Sequence, residues 1–186
     1  MKIIHLFLAT GFEETEAIQI VDIIRRAGLE IHTVSITDSK QVLSSHDILI
    51  TADELIAEAN LEESQLFILP GGMPGATNLS KCDALRSAII THFNTGKLIS
   101  AICAAPLVYG LMGLLEGKRA TCYPGFEEYL KGAQCTGSLV EIDGNIITGK
   151  GPAAAMPFAF ALVERLAGKE LTDSVKAGML YSELVK

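Results

Sequence analysis

Two side chains carry the chemistry this sequence could perform: the thiol of Cys103 and the carboxyl of Glu16. Cys103 follows the apolar run Leu98-Ile99-Ser100-Ala101-Ile102 and precedes Ala104-Ala105-Pro106. The run reads as a strand and the segment after it as a helix start, so Cys103 falls on a strand–turn–helix junction. Small residues there permit a sharp elbow and leave room for a ligand beside the sulfur. A helix N-terminus would add positive potential and free N–H groups, which predicts a lowered thiol pKa. An inert core cysteine is the competing reading, since cysteine is among the most buried residues.

Glu16 falls in the first turn of the first helix, just beyond the first strand. If the two strands lie close, carboxyl and thiol share one crevice, where Glu16 could act as acid or base once burial raises its pKa. Acidic residues also favour helix N-termini for electrostatic reasons alone, which accounts for Glu13 and Glu14. Leu69-Pro70-Gly71-Gly72-Met73-Pro74-Gly75 lets a backbone approach a ligand closely and offers N–H groups to an oxyanion. It is no phosphate loop, because no Gly-Lys-Ser/Thr follows. In Thr121-Cys122-Tyr123-Pro124-Gly125, the Tyr123 hydroxyl could line a pocket and Cys122 could be a second thiol.

The positioning elements follow from periodicity. Lys2–Ala9, Glu30–Ile36, Gln65–Leu69 and Lys97–Ile102 read as strands. Val42–Thr51 and Arg119–Cys122 read as shorter ones, and Asp143-Gly144 marks a tight turn within Glu141–Thr148. Glu14–Ala27 keeps helical spacing and ends at Gly28. Ile18 and Ile23 widen its apolar face, which implies either a second subunit or packing under a loop. Asp53–Ala59, Asp83–Phe93, Ala104–Leu115 and Ala153–Leu166 also read as helices. Pro152 suits a first turn, and Pro157 marks a kink or a late start. Strands alternating with helices predict an α/β sandwich with a mostly parallel sheet, formed as one domain over 1–186.

Composition limits the alternatives. The chain has 186 residues, 49% apolar, with 15 Lys and Arg against 22 Asp and Glu for a net charge of −7. That excludes disorder and argues against a general grip on nucleic acid. The apolar run Ala153–Val163 is shorter than the ~20 residues a membrane helix needs. No signal-peptide pattern is read at the start, so the expected setting is a reducing, cytoplasmic one. The four cysteines form no C-x-x-C pair and have no histidine at zinc-ligand spacing, so no metal is expected.

Taken together, these motifs resemble the ThiJ/PfpI superfamily, and within it the branch of the Parkinson-disease-associated protein deglycase. The resemblance rests on Gly11 to Glu16, Arg25 to Gly28, Leu69 to Gly72, Ala101 to Pro106 and Gly149 to Pro152, in that order. It implies a flavodoxin-like three-layer sandwich, helices on both faces of the sheet, and a homodimer. It implies Cys103 as a nucleophile that readily oxidises to a sulfinate, and Glu16 as its protonated partner. Gly72 and Ala104 would supply oxyanion N–H groups, with Gly71, Tyr123 and Pro152 beside the substrate and Arg26 near the dimer interface. The branch's human member has His where this chain has Tyr123, and Arg at the interface where it has His46. The superfamily's protease-like branch has His after the nucleophile, where this chain has Ala104.

Three functions compete. A cofactor-independent glyoxalase or deglycase would act on methylglyoxal, glyoxal or their early protein adducts. A redox sensor or chaperone would use Cys103 oxidation. A cysteine hydrolase or amidotransferase needs a histidine base, and His5, His32 and His92 are predicted in strands or on a surface helix, away from the crevice.

Overall fold

The structure, a computed structural model, describes residues 3–184. β1 is Ile3–Leu8, α1 Glu14–Arg26 and β2 Ile31–Ser35. A hairpin of β3 (Gln41–Leu43) and β4 (Leu49–Thr51) precedes the two-residue strand β5 (Glu54–Leu55). β6 (Ser64–Leu69), α2 (Gly75–Lys81), α3 (Asp83–Asn94), β7 (Leu98–Ile102) and α4 (Pro106–Leu111) follow. The remainder is β8 (Arg119–Ala120), β9 (Gln134–Cys135), β10 (Val140–Asp143), β11 (Ile146–Gly149), α5 (Ala155–Ala167), α6 (Lys169–Gly178) and α7 (Tyr181–Leu184).

Seven strands form the main sheet in the order β10-β11-β7-β6-β1-β2-β5, parallel except for the β10–β11 hairpin. Its inner strands are near-continuous buried Ile, Leu, Val and Phe, as a sheet covered on both faces requires. The chain leaves β1 toward β2 but leaves β6 in the opposite direction, toward β7. Right-handed crossovers therefore send α1 to one face and α2, α3 and α4 to the other. In agreement, α1 packs on α5, and α2 packs on both α3 and α4. The reversal between β1 and β6 opens a crevice beyond their carboxyl ends. Register brings these ends level: Leu6 pairs with Ile68, Leu69 with Ala101, and Ile102 with Gly149. Among the described residues no helix is long and apolar enough to cross a membrane.

Several elements differ from the sequence reading. Lys2 lies outside the described residues. Val42–Thr51 is a hairpin turning at Asp47, which has φ 61°. Asp53–Ala59 is not a helix. The Asp53 carboxylate accepts the Thr33 N–H and hydroxyl, both at 2.8 Å, and pairs with Arg25 at 3.0 Å. Those bonds draw the segment into the sheet edge as β5. The helix read over Ala104–Leu115 shortens to α4 because Ala104 and Ala105 form the turn after the strand. At its other end the backbone turns left-handed at Gly113. The strand read over Arg119–Cys122 is confined to β8, which pairs with β9 outside the main sheet. Pro157 lies in the first turn of α5, so it marks a late start and no kink is needed. Ile23 is core, whereas Ile18 is 44% exposed. α2, with Gly, Thr, Asn and Ser in one short stretch, has weak intrinsic helicity. It is held from outside, Asn78 donating to the Thr10 carbonyl at 2.9 Å.

One buried bond ties the distal loop to the sheet. The Thr121 N–H donates to Thr148 Oγ1 at 2.9 Å, and both residues are buried. Thr148→Val keeps the shape but strands that donor. The expected result is a stability loss of about 1–3 kcal/mol in urea unfolding.

Candidate active site

Cys103 sits at the end of β7 with φ 64°, the left-handed region that an L-residue enters at a cost of about 1–3 kcal/mol. The surroundings hold it there. Its N–H donates to the Gly149 carbonyl at 2.9 Å, and its own carbonyl accepts the Tyr123 N–H at 2.8 Å. The sulfur is thereby turned off the strand axis into the crevice, on a residue only 7% exposed.

The opposite wall is made by two loops in backbone contact. The Glu13 N–H donates to the Gly71 carbonyl at 2.9 Å, and the Gly75 N–H to the Gly11 carbonyl at 3.1 Å. A Cβ on Gly72 would lie 2.4 Å from Glu13 N, so only glycine lets the loops close. A Cβ on Gly71 would lie 2.5 Å from Cys103 Cβ and 2.9 Å from Glu16 Oε2. Gly71 is thus the gap into which thiol and carboxyl fit.

Glu16 is fully buried, unlike a first-turn acid that merely complements the helix dipole. Its Oε2 accepts the Gly71 N–H at 2.7 Å. Its carboxyl also interacts with the Cys103 thiol, although Oε1 lacks a well-aligned hydrogen-bond partner. Burial pushes Glu16 up to about 7, against the opposing pull of the Gly71 N–H and the thiol. The expected lowering of the Cys103 pKa does not hold while Glu16 is ionised. Burial and the adjacent carboxylate then push the thiol up to about 12, outweighing the Gly72 and Ala104 N–H groups. The helix end contributes little, because α4 starts only at Pro106. A protonated Glu16 removes the carboxylate's opposition: its charge is gone, and its O–H can donate to sulfur alongside the Gly72 and Ala104 N–H groups, leaving burial as the force against a thiolate. The pair accommodates one negative charge.

Of the residues singled out from sequence, the structure brings together Cys103, Glu16, Gly71, Gly72 and Ala104. Tyr123 is tethered to the elbow by its N–H. It shares with Pro152, Gly151 and Leu139 a shallow pocket of about 190 Å³ that none of those five residues lines. Arg26 is half-exposed and paired with Asp22 at 2.6 Å. His46 is exposed, with Nδ1 2.7 Å from Glu14 Oε1. Glu13 caps α1, accepting the Thr15 hydroxyl at 2.6 Å. Cys122 shares a pocket of about 240 Å³ with Cys135, and Cys103 is not part of its lining. His92 departs from the surface position expected of it: its ring is buried, stacked on Phe67 at 3.9 Å. Gly11, Gly75 and Gly149 lie within the motifs read from sequence but carry no individual role there; the structure gives them one, the Gly11 carbonyl accepting the Gly75 N–H and the Gly149 carbonyl the Cys103 N–H.

The profile of the DJ-1/PfpI family matches residues 2–165. The chain belongs to the DJ-1/PfpI family. Within it, the chain is 42% identical over 175 residues to protein DJ-1 homolog B of Arabidopsis thaliana, covering 93% of this chain and 40% of that protein. The chain therefore spans well under half of that relative. It is 31% identical to the glutathione-independent glyoxalase DJR-1.2 of Caenorhabditis elegans, covering 88% of this chain and 87% of that one. The structure of oxidized DJ-1 from Toxoplasma gondii superposes with a TM-score of 0.93 at 36% identity, over 97% of this chain and 98% of that one. These DJ-1 likenesses confirm the expected family branch and the flavodoxin-like α/β class.

The raised Glu16 pKa has a consequence for stability. An acid whose folded pKa exceeds its unfolded value stabilises fully below the unfolded value, near 4.5, and loses that contribution as pH rises through about 7. Subtracting the urea-unfolding profile of Glu16→Gln from that of wild type isolates the effect. The difference is expected to fall by on the order of 2–3 kcal/mol across that window.

Proposed function

We propose that this DJ-1/PfpI protein is a cofactor-independent glyoxalase or deglycase, acting on methylglyoxal, glyoxal or their early adducts. The observation that carries the reading is the buried Glu16 carboxyl set against the Cys103 thiol, with Glu16 near pKa 7. A group balanced at neutral pH can both take and return a proton within one cycle.

The steps follow for methylglyoxal. Sulfur attacks the aldehyde carbon while the thiol proton passes to Glu16. The new alkoxide is held by the Gly72 and Ala104 N–H groups, then protonated to a hemithioacetal. Glu16, again a carboxylate, removes the proton from that carbon to give an enediol. It returns a proton to the neighbouring carbon, leaving a thioester of lactate. Water hydrolyses the thioester, releasing lactate and restoring the thiol. The net change is addition of one water, with no outside oxidant. Glyoxal gives glycolate by the same steps. The C. elegans relative named as a glutathione-independent glyoxalase supports this reading.

A second reading, redox sensing, draws on the same groups: the Gly72 and Ala104 N–H donors and a protonated Glu16 would also hold a Cys103 sulfinate. Hydrolase chemistry has less support, because no histidine is among the groups acting on the thiol. Lactate formation from methylglyoxal without glutathione separates the readings. Wild type is expected to turn over, Cys103→Ser to be inactive, and Glu16→Gln to lose about 100-fold or more while Cys103 remains alkylatable. No turnover by wild type with its thiol intact would overturn the enzyme reading, and peroxide-driven sulfinate formation at Cys103 would then favour the sensor.

The proposal includes a homodimer, with Arg26 and His46 near its interface. Half-exposed Ile18 on α1, together with the exposed Ile48 and Leu49 at the β3–β4 hairpin, gives such a contact apolar surface. Light scattering is expected to give twice the chain mass of 19.9 kDa, and Ile18→Glu to shift it toward the monomer. A wild-type monomer at micromolar concentration would contradict this part.

A further inference from the structure

Away from the crevice, one cluster of side chains has no role in the chemistry above. His5 on β1 and His32 on β2 are direct partners in parallel register, so their side chains leave the same face of the sheet side by side. Glu54, on the edge strand β5, joins them. One nitrogen of each imidazole and one Glu54 oxygen all lie within 4.8 Å of one another. Glu54 Oε1 is 3.0 Å from His32 Nδ1 and 3.4 Å from His5 Nε2.

His5 is what makes the cluster more than an ion-pair network. It is fully buried, and neither ring nitrogen has a well-formed hydrogen bond. A buried polar group left unpaired destabilises the fold, and Nε2 is the atom that faces Glu54. The second acid–histidine cluster, Glu13, Glu14 and His46, shows no such deficit, since hydroxyls and the imidazole already engage its carboxylates.

We propose that His5, His32 and Glu54 form a binding site for a divalent transition-metal cation of the zinc type. Imidazole and carboxylate suit such an ion, and bonds near 2.0–2.1 Å set tetrahedral ligand atoms about 3.3 Å apart. The two measured separations bracket that spacing. A cation between the three atoms gives His5 Nε2 the partner it lacks. Three protein ligands leave one position open, and it faces water, because the His32 side chain is 36% exposed and that of Glu54 19%.

The supporting groups fit the same role. His32 turns Nδ1 toward Glu54 and has Nε2 3.5 Å from Glu30, the acid–histidine arrangement that orients metal-ligating imidazoles. The neighbouring Asp53 fixes the edge strand through its bonds to Thr33 and Arg25. Two ligands on paired strands and a third on a pinned edge make a preformed site. Linear spacing conceals it, since the ligands come from three separate strands.

The test is titration of the full chain with Zn²⁺ alone by calorimetry and with Co²⁺ alone by absorption. One equivalent per chain is expected, weakened about tenfold or more in His32→Gln and in Glu54→Gln. Cys103→Ser and His46→Gln are expected to bind as wild type, and Co²⁺ to show ligand-field bands without thiolate charge transfer. Thermal unfolding of the variants without metal establishes that they remain folded. Absence of binding, equal binding by the His32 and Glu54 variants, loss in His46→Gln, or a thiolate band would each overturn the proposal. Because Cys103 takes no part, this outcome is independent of the proposed carbonyl chemistry.

Discussion

A carboxyl and a thiol pressed together out of water cannot both ionise at neutral pH, and this chain is arranged to impose that condition. Burial is the largest influence against charge on either group, and the carboxylate beside Cys103 adds to it at the thiol. What remains is one proton too few for two neutral groups and one too many for two ions. The chemistry proposed for the crevice uses that intermediate state, because a proton that can reside on either partner can be lent to a substrate and taken back.

The fold supplies the confinement. A reversal in strand order between β1 and β6 creates the crevice, and level strand ends bring three loops to its mouth. Glycines at Gly71, Gly72 and Gly75 remove the side chains that would hold the loops apart. Cys103 takes a left-handed backbone, held there by Gly149 and Tyr123, which bind its N–H and carbonyl. Burial of Glu16 follows from α1 starting directly against the Gly71 loop. Close backbone packing of the loops therefore helps keep water from the pair.

Much of this was legible in the sequence. Apolar runs and helical periodicity located the main strands and α1, and small residues around Cys103 marked the elbow. Order alone placed Glu16 and Cys103 beyond strand ends. What pattern could not show was the sign of the local electrostatics. A helix N-terminus beside Cys103 suggested a low pKa, yet α4 begins three residues later, and burial with an ionised Glu16 acts in the opposite direction. The Asp53 segment failed for a related reason: long-range bonds to Thr33 and Arg25 overrode local helical spacing. The His5–His32–Glu54 cluster was invisible because strand register, rather than sequence distance, brings its members together.

The shared charge can be observed directly at about pH 8, where isolated carboxyls are ionised and thiols partly so. The infrared difference between wild type and Glu16→Gln reports the carboxyl, and the thiolate absorbance of wild type minus Cys103→Ser reports the sulfur. The account predicts that the two ionised fractions sum to about one, whichever partner holds the proton. A fully ionised carboxylate beside a fully formed thiolate would contradict it.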